Sequence, residues 1–372
     1  MIYFDNAATS GKKPFGVIIK TTLSMLRCAN PGRSGHTRSL KAANQVFEVR
    51  AKLKSFFNVP SEENVIFTQN CTHALNLGIA GCQKRGGHII CSCFEHNSVL
   101  RCLNKLMCDG KITYSVATPQ DKEIVTPGDI ESLIKPDTYM VCLIHTTNTT
   151  GVTHDIEAVG KLCKERGLIF LVDAAQSAGH IKIDMQKANI NLLAFAGHKG
   201  LLAPQSIGGL CINNINPNPI IFGGTGTNSI DLNQPNEPPE KYESGTVSTP
   251  LILGLGKGIH YVSKNFDKHR IKVEALTKYL LQKLVQVKGM VLYSPASVNS
   301  GVVLFNIKNY TSSEVGDFLN DCGIAVRSGL HCAPLTHKFL GTVKTGAVRV
   351  SLNHFNKKRE IDKLIAALNK LK

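Results

Sequence analysis

The chain has 372 residues, with 43 Lys and Arg against 27 Asp and Glu, a formal charge of +16 and 42% hydrophobic residues. That length holds two domains, or one large domain with a smaller lobe, and that mixture of apolar and charged residues excludes a disordered chain. No apolar run is long enough to span a bilayer, and the N-terminus MIYFDNAATSGKKP lacks the basic-then-apolar order of a signal peptide, so a cytoplasmic location is expected. The twelve cysteines are scattered singly and fit buried small hydrophobes in a reducing compartment. Cys91 and Cys93 alone form a close pair, and a CxC with no second pair is weak support for a metal; none is expected. The basic surplus is spread out, there is no Trp, and no RNA-binding aromatic signature or helix-turn-helix pattern occurs. A solvated basic surface that attracts an anionic cofactor, a carboxylate substrate or an acidic partner protein is the first reading; nucleic-acid binding is a poor second.

In chain order, Met1 to Ser10 reads as an extended arm and residues 16–28 as a helix. The loop Asn30-Pro31-Gly32-Arg33-Ser34-Gly35-His36 is too rich in Gly and Pro for regular structure. Val46, Val49, Leu53 and Phe56 recur at helical spacing, which predicts an amphipathic helix over Leu40 to Phe57. Strands are predicted at Val65–Thr68, His88–Cys91, Ile112–Ala117, Met140–His145, Leu168–Val172, Leu192–Phe195 and Gly209–Ile212, with helical patterns between most of them, as near 155–166. This alternation implies a mostly parallel seven-stranded sheet with helices on both faces. After the Pro-, Asn- and Gly-rich segment Ile215 to Pro250, a helical stretch over 250–288 leads into a smaller α+β lobe. Its strands are expected near 301–307, 323–327 and 346–351, and its last helix over Arg359 to Leu371. The expected division is a large domain over 15–257 and a small one over 1–14 and 258–372, with the arm packed on the small lobe.

Chemistry concentrates at strand ends. Leu168-Ile169-Phe170-Leu171-Val172 is apolar without alternation, as in a strand buried on both faces, and it ends on Asp173. In open α/β sheets ligands lie beyond the carboxyl ends of strands, so this acid points at a ligand. The run Leu192 to Phe195 then delivers Gly197-His198-Lys199. A lysine can condense with an aldehyde and an acid can keep a pyridine nitrogen protonated, which is the division of labour at pyridoxal phosphate (PLP). Alone, either residue would be a helix cap or a surface charge; together they favour the cofactor. Thr68-Gln69-Asn70-Cys71-Thr72-His73-Ala74 sits where a strand becomes a helix, and free amides plus the Thr72 hydroxyl suit a phosphate, although Asn70 or Thr72 could merely cap the helix. Near the C-terminus, Gly323-Ile324-Ala325-Val326-Arg327-Ser328-Gly329-Leu330-His331-Cys332 reads as a strand, a Gly-assisted turn and a Cys beside His and near Arg. Nearby positive charge favours a thiol's anionic, nucleophilic form.

VDAAQSAGH followed about two dozen residues later by Gly-His-Lys resembles the PLP segment of the cysteine desulfurases and selenocysteine lyases, class V aminotransferases within fold type I. The resemblance extends to Tyr3-Phe4-Asp5-Asn6-Ala7-Ala8-Thr9 in the arm and on to Arg349. It implies an α/β fold type I PLP enzyme and a homodimer. Lys199 would carry the cofactor and Asp173 would pair with its ring nitrogen. Cys71, Thr72, His73 and His198 would surround its phosphate, with Thr246 of the segment Glu243-Ser244-Gly245-Thr246 reaching in from a second subunit. His96, after Glu95, would stack on the ring and move protons, an imidazole being suited to titrate near the working pH. Asn148 and Gln176 would donate to the ring's phenolic oxygen. Arg349, in Ala347-Val348-Arg349-Val350-Ser351, would clamp the substrate α-carboxylate, a task for a forked guanidinium, with His36 and Asn148 nearby. Cys332, in a segment resembling the RxGHHC motif of SUF-type desulfurases, would be the nucleophile.

Two departures stand out: Ala196 where the family has Ser or Thr before Gly-His-Lys, and Leu330 in place of the first His of RxGHHC. The expected reaction is conversion of L-cysteine to L-alanine with sulfur held on Cys332 as a persulfide, and an acidic sulfur- or selenium-acceptor protein is the partner such a surface would suit. Selenocysteine lyase activity is the alternative within enzymes. A non-catalytic basic scaffold or nucleic-acid-binding relative is the remote one, supported by the +16 charge alone.

Overall fold

The computed structural model describes residues 1–27, 29–32, 34–120, 123–227, 229–297 and 300–371; Cys28 and Arg33, within the first predicted helix and the early loop, lie outside them. A seven-stranded sheet runs in the order Val65–Thr68, Gly208–Ile212, Leu192–Ala196, Ile169–Asp173, Thr138–Ile144, Gly87–Ser92, Ile112–Ala117. Gly208–Ile212 is antiparallel to both its neighbours, and the remaining pairs are parallel. Val65–Thr68 therefore runs in the same sense as the other five. Its carboxyl end, and those of the strands ending at Ser92, Ile144, Asp173 and Ala196, all open on one edge of the sheet. The central strands are buried on both faces, which is why they read as unbroken apolar runs.

Helices cover both faces. Thr37–Phe57 sets Val46, Val49, Leu53 and Phe57 into one core, and Cys71–Gly81 with Asn97–Cys108 packs the other. Asn70 caps Cys71–Gly81 by accepting from His73 N at 2.9 Å. Gly208 lets that turn lie close on the sheet, because a Cβ there would stand 2.8 Å from Asn70 C and 2.9 Å from Cys71 N.

The C-terminal part has its own core, including Phe4, Leu276, Leu280, Phe305, Val348 and Leu364. It is built on a four-stranded antiparallel sheet ordered Arg327–Gly329, Ala347–Ser351, Val302–Ile307, Met290–Leu292. The arm joins it through Ile2–Tyr3, parallel to Ile324–Ala325. Three details differ from the sequence reading. The helical stretch over 250–288 is two helices, Thr249–Lys264 and Phe266–Leu284, broken at Asn265. The strand expected over 323–327 splits, because Ile324–Ala325 pairs with the arm and Arg327–Gly329 with Ala347–Ser351. Met290–Leu292 is an additional edge strand. Ile252, Leu255 and Ile259 belong to the first core and Leu276 to the third, so the change of core falls between Ile259 and Leu276.

Candidate active site

The shared strand edge holds a cavity of about 240 Å³. Asp173 is the last residue of its strand and is buried; its Oδ1 accepts from Ala175 N at 2.8 Å and from Cys71 Sγ at 3.6 Å. Lys199 lines the same space, three residues past Ala196. Burial pushes the Lys199 amine below its ordinary value, and the charge of Asp173 opposes this. Burial raises Asp173 in turn, against the Ala175 amide, Lys199 and Cys71. An amine eased toward its free base is the nucleophilic form.

Cys71, Thr72, His96, Asn148, Gln176, His198 and Arg349 also line the cavity, with Ala196 as an apolar patch where a hydroxyl was noted as missing. Thr72 and Ser98, each in the first turn of its helix, bring their hydroxyls 2.8 Å apart, so two helix N-termini converge at one end. Ser98 was not anticipated from the sequence, where it reads as an ordinary residue of a helix start. His96 is an N-cap whose Nδ1 accepts from Ser98 N at 3.1 Å and lies 2.9 Å from Ser98 Oγ. Burial, with Lys199 and three arginines adding to it, lowers His96 to about 4. The expectation of titration near neutral pH is thereby corrected: the ring is neutral there. Gln176 Nε2 donates to Ala7 O at 3.0 Å, and Asn148 Nδ2 to His331 O at 2.7 Å. Each amide thus has an N–H already engaged within the protein.

Four expected residues do not line this cavity: His36, His73, Thr246 and Cys332. His36 is an exposed N-cap that accepts from Ser39 N at 3.2 Å, so it serves its helix. His73 is not among the lining residues; its Nδ1 is buried, and burial lowers its proton affinity. Thr246 is exposed, in a segment anchored by the Arg50–Glu243 ion pair at 2.5 Å, and does not reach the cavity of its own chain.

Cys332 is half-buried beside the cavity, in an unusual backbone. His331 and Cys332 both lie in the left-handed region, at φ 52 and 56. Such a conformation costs about 1–3 kcal/mol per non-Gly residue and persists where surrounding contacts over-determine it. Here Asn148 holds the His331 carbonyl, and Asn97 N donates to Cys332 O at 2.8 Å. The His331 ring is buried, 3.2 Å from His337 Nε2 and 3.2 Å from Arg327 O. Burial, then the charge of Arg349, pushes His331 down to about 2. The positive charge beside the thiol is therefore Arg327, whose Nη2 donates to Sγ at 3.7 Å, and not the adjacent His. Leu330 is 40% exposed next to this turn. Arg349 is almost fully buried; Nη1 donates to Asn148 O at 2.9 Å and Nη2 to Asp5 Oδ1 at 2.7 Å. The Asp5 contact had no local signal, since its partner is 344 residues away.

The family described as Aminotransferase class-V matches residues 2–364. A probable cysteine desulfurase of Pyrococcus abyssi is 34% identical over 384 residues, covering 100% of this chain and 94% of the relative. A cysteine desulfurase of Salmonella agona is 30% identical, covering 100% and 93%. Among solved structures, the apo cysteine desulfurase of Thermococcus onnurineus NA1 superposes with a TM-score of 0.92 at 32% identity, covering 100% of this chain and 94% of that one. The cavity residues at the strand ends and the whole-chain match agree, and the chain belongs to the class-V aminotransferase family, alongside the cysteine desulfurases.

Proposed function

We propose that the chain is a PLP-dependent cysteine desulfurase. The observation that carries this is the meeting of Lys199, Asp173 and Arg349 in one cavity, with Cys332 against Arg327 at its side. The cavity suits the cofactor chemically. An amine and a carboxylate share it, hydroxyls at two helix N-termini converge at one end, and Asn148 Oδ1 and His198 Nδ1 are buried without partners among the described residues. Lys199 and Asp173 would hold the aldehyde carbon and ring nitrogen, and Cys71, Thr72, Ser98 and His198 the phosphate. Bound there, PLP supplies an aldehyde that condenses with amines and a ring that withdraws electrons from an amino acid's α-carbon.

The protein's own contribution follows from the geometry. Arg349 and Arg327 give the cavity two cations for an α-carboxylate. Lys199 Nζ and the neutral His96, whose Nε2 is left over once Nδ1 caps its helix, are the groups we assign to proton transfer. Cys332 Sγ attacks the sulfur of L-cysteine. The S–S bond forms as the C–S bond breaks, the C–S electron pair stays with carbon, and a proton there completes alanine. L-cysteine and Cys332–SH thus give L-alanine and Cys332–S–SH, with no outside oxidant. The exposed apolar side chains of Phe15, Ile18, Leu23, Phe47 and Phe222 suit a second copy of the chain, and the net charge suits an acidic acceptor of the persulfide sulfur.

Selenocysteine lyase is the second reading, favoured by Leu330 beside the nucleophile. Alanine release from L-cysteine and from L-selenocysteine, by wild type and Cys332→Ala, separates the two. A desulfurase loses cysteine turnover by about 10³-fold in the variant, at about 1.4 kcal/mol per tenfold. Selenocysteine turnover that survives in Cys332→Ala, with little cysteine turnover in wild type, would replace this reading with the lyase.

A further inference from the structure

A guanidinium carries five N–H groups, and the protein engages two of those on Arg349 through Asn148 O and Asp5 Oδ1. Nε is buried without a partner among the described residues. The Arg349 side chain is 1% exposed, so its charge needs a counter-ion in place before any substrate arrives; Asp5, at 21%, is the carboxylate that supplies it. Asp5 is not what holds the arm down. Ile2 and Tyr3 are paired with Ile324 and Ala325, Asn6 Nδ2 donates to Ser351 O at 2.9 Å, and Ala7 N donates to Ser351 Oγ at 2.9 Å.

An acid on the residue that clamps a carboxylate could compete with the substrate or could aim the clamp. The inventory of donors decides for the second. Among the described residues one N–H on each Nη stays unshared, enough for a second carboxylate while Asp5 remains bound. Arg327 in the same cavity adds a further cation, so two arginines face two carboxylates when an amino acid is present.

We propose that Asp5 is a positioning residue for substrate recognition: it neutralises and orients Arg349 so that the unshared N–H groups take the α-carboxylate of the amino-acid substrate without Asp5 leaving. This rests on the reading of Arg349 as the carboxylate clamp. The test uses the holoenzyme and its Asp5→Asn and Arg349→Lys variants. It compares steady-state cysteine kinetics with binding of L-alanine and L-alaninamide, followed by cofactor absorbance. Asp5→Asn should raise KM for cysteine by about tenfold with kcat within about twofold, as loss of one charge-assisted contact implies. It should weaken L-alanine binding by a similar factor and leave L-alaninamide, which has no carboxylate, unchanged. An unchanged or lower KM, a loss confined to kcat, or equal weakening of alanine and alaninamide overturns the proposal. If Arg349→Lys leaves KM and alanine binding at wild-type values, the clamp reading itself is wrong; if it raises them and Asp5→Asn does not, only the role of Asp5 is.

Discussion

The two sides of the cavity are built by different means. On one, each group follows the end of a parallel strand by a few residues: Asp173 closes its strand, Asn148 comes four after Ile144 and Lys199 three after Ala196. Ladder hydrogen bonds on both sides fix those strands, so sequence distance along a few residues sets side-chain position. The other side brings in Arg349, from the centre of the strand Ala347–Ser351 in the small sheet, with the Cys332 turn beside the cavity. It depends on two consecutive left-handed residues and on contacts between segments 183 and 344 residues apart. Strand ends suffice to place the first set of groups, whereas the second also needs long-range ties, from Asn148 to the His331 carbonyl and from Asp5 to Arg349.

The largest effect expected is on the first side. Lys199→Ala should abolish alanine production, at least about 10³-fold, and borohydride should no longer fix the cofactor covalently to the protein. Wild-type covalent retention in that variant would remove Lys199 from its assigned place. Asp173→Asn should come next, with a loss in kcat of about 10²-fold and unchanged circular dichroism, because the change is electronic. Undiminished turnover would mean that another group serves the ring nitrogen. Asn148→Ala joins the two sides, since it releases the His331 carbonyl. Loosening the Cys332 turn should lower kcat about tenfold while Lys199 still takes up the cofactor, consistent with the cost of misplacing a reacting group. A simultaneous loss of cofactor would show that the Asn148 side chain, which also lines the cavity, serves the cofactor directly rather than the Cys332 turn alone.

The smallest effect is on stability and concerns buried histidines across the fold, of which His198 lines the cavity. Burial lowers His154 and His354 to about 3, His145, His198 and His337 to about 4, and His331 to about 2, from 6.5. As pH falls through 6.5 toward 4, the unfolded chain binds protons on these rings and the folded one does not, so stability falls in that window. Glu95 works in the opposite direction. Burial holds it protonated up to about 8, so its contribution falls as pH rises from 4.5 to 8. Thermal unfolding should therefore move to lower temperature between pH 7 and 5. A flat or rising Tm over that range contradicts the assignment of neutral buried histidines.

The same contrast explains what the sequence made legible. Val65–Thr68 and Ile112–Ala117 are found at their predicted bounds, and the buried central strands deliver Asp173 and Lys199 where strand-end reasoning expects a ligand. Met290–Leu292 was not legible because it is three residues long and only half-buried on an edge. The break at Asn265 carries no Gly or Pro, so helical spacing alone ran through it. On the second side, motif likeness pointed to Cys332, but the neutral state of His331 and the partnership of Asp5 with Arg349 depend on tertiary contacts that no local pattern records, while His36 caps its own helix.

In the proposed reaction sulfur passes to Cys332. Wild-type holoenzyme exposed briefly to L-cysteine without an acceptor, digested without reductant and analysed by mass spectrometry, tests that directly. The peptide spanning Ser328 to Lys338 should gain the mass of one sulfur atom, in step with the first equivalent of alanine. Alanine released in that first turnover with no added sulfur on this peptide, or with the added sulfur on another cysteine, would contradict the assignment of Cys332 as the nucleophile.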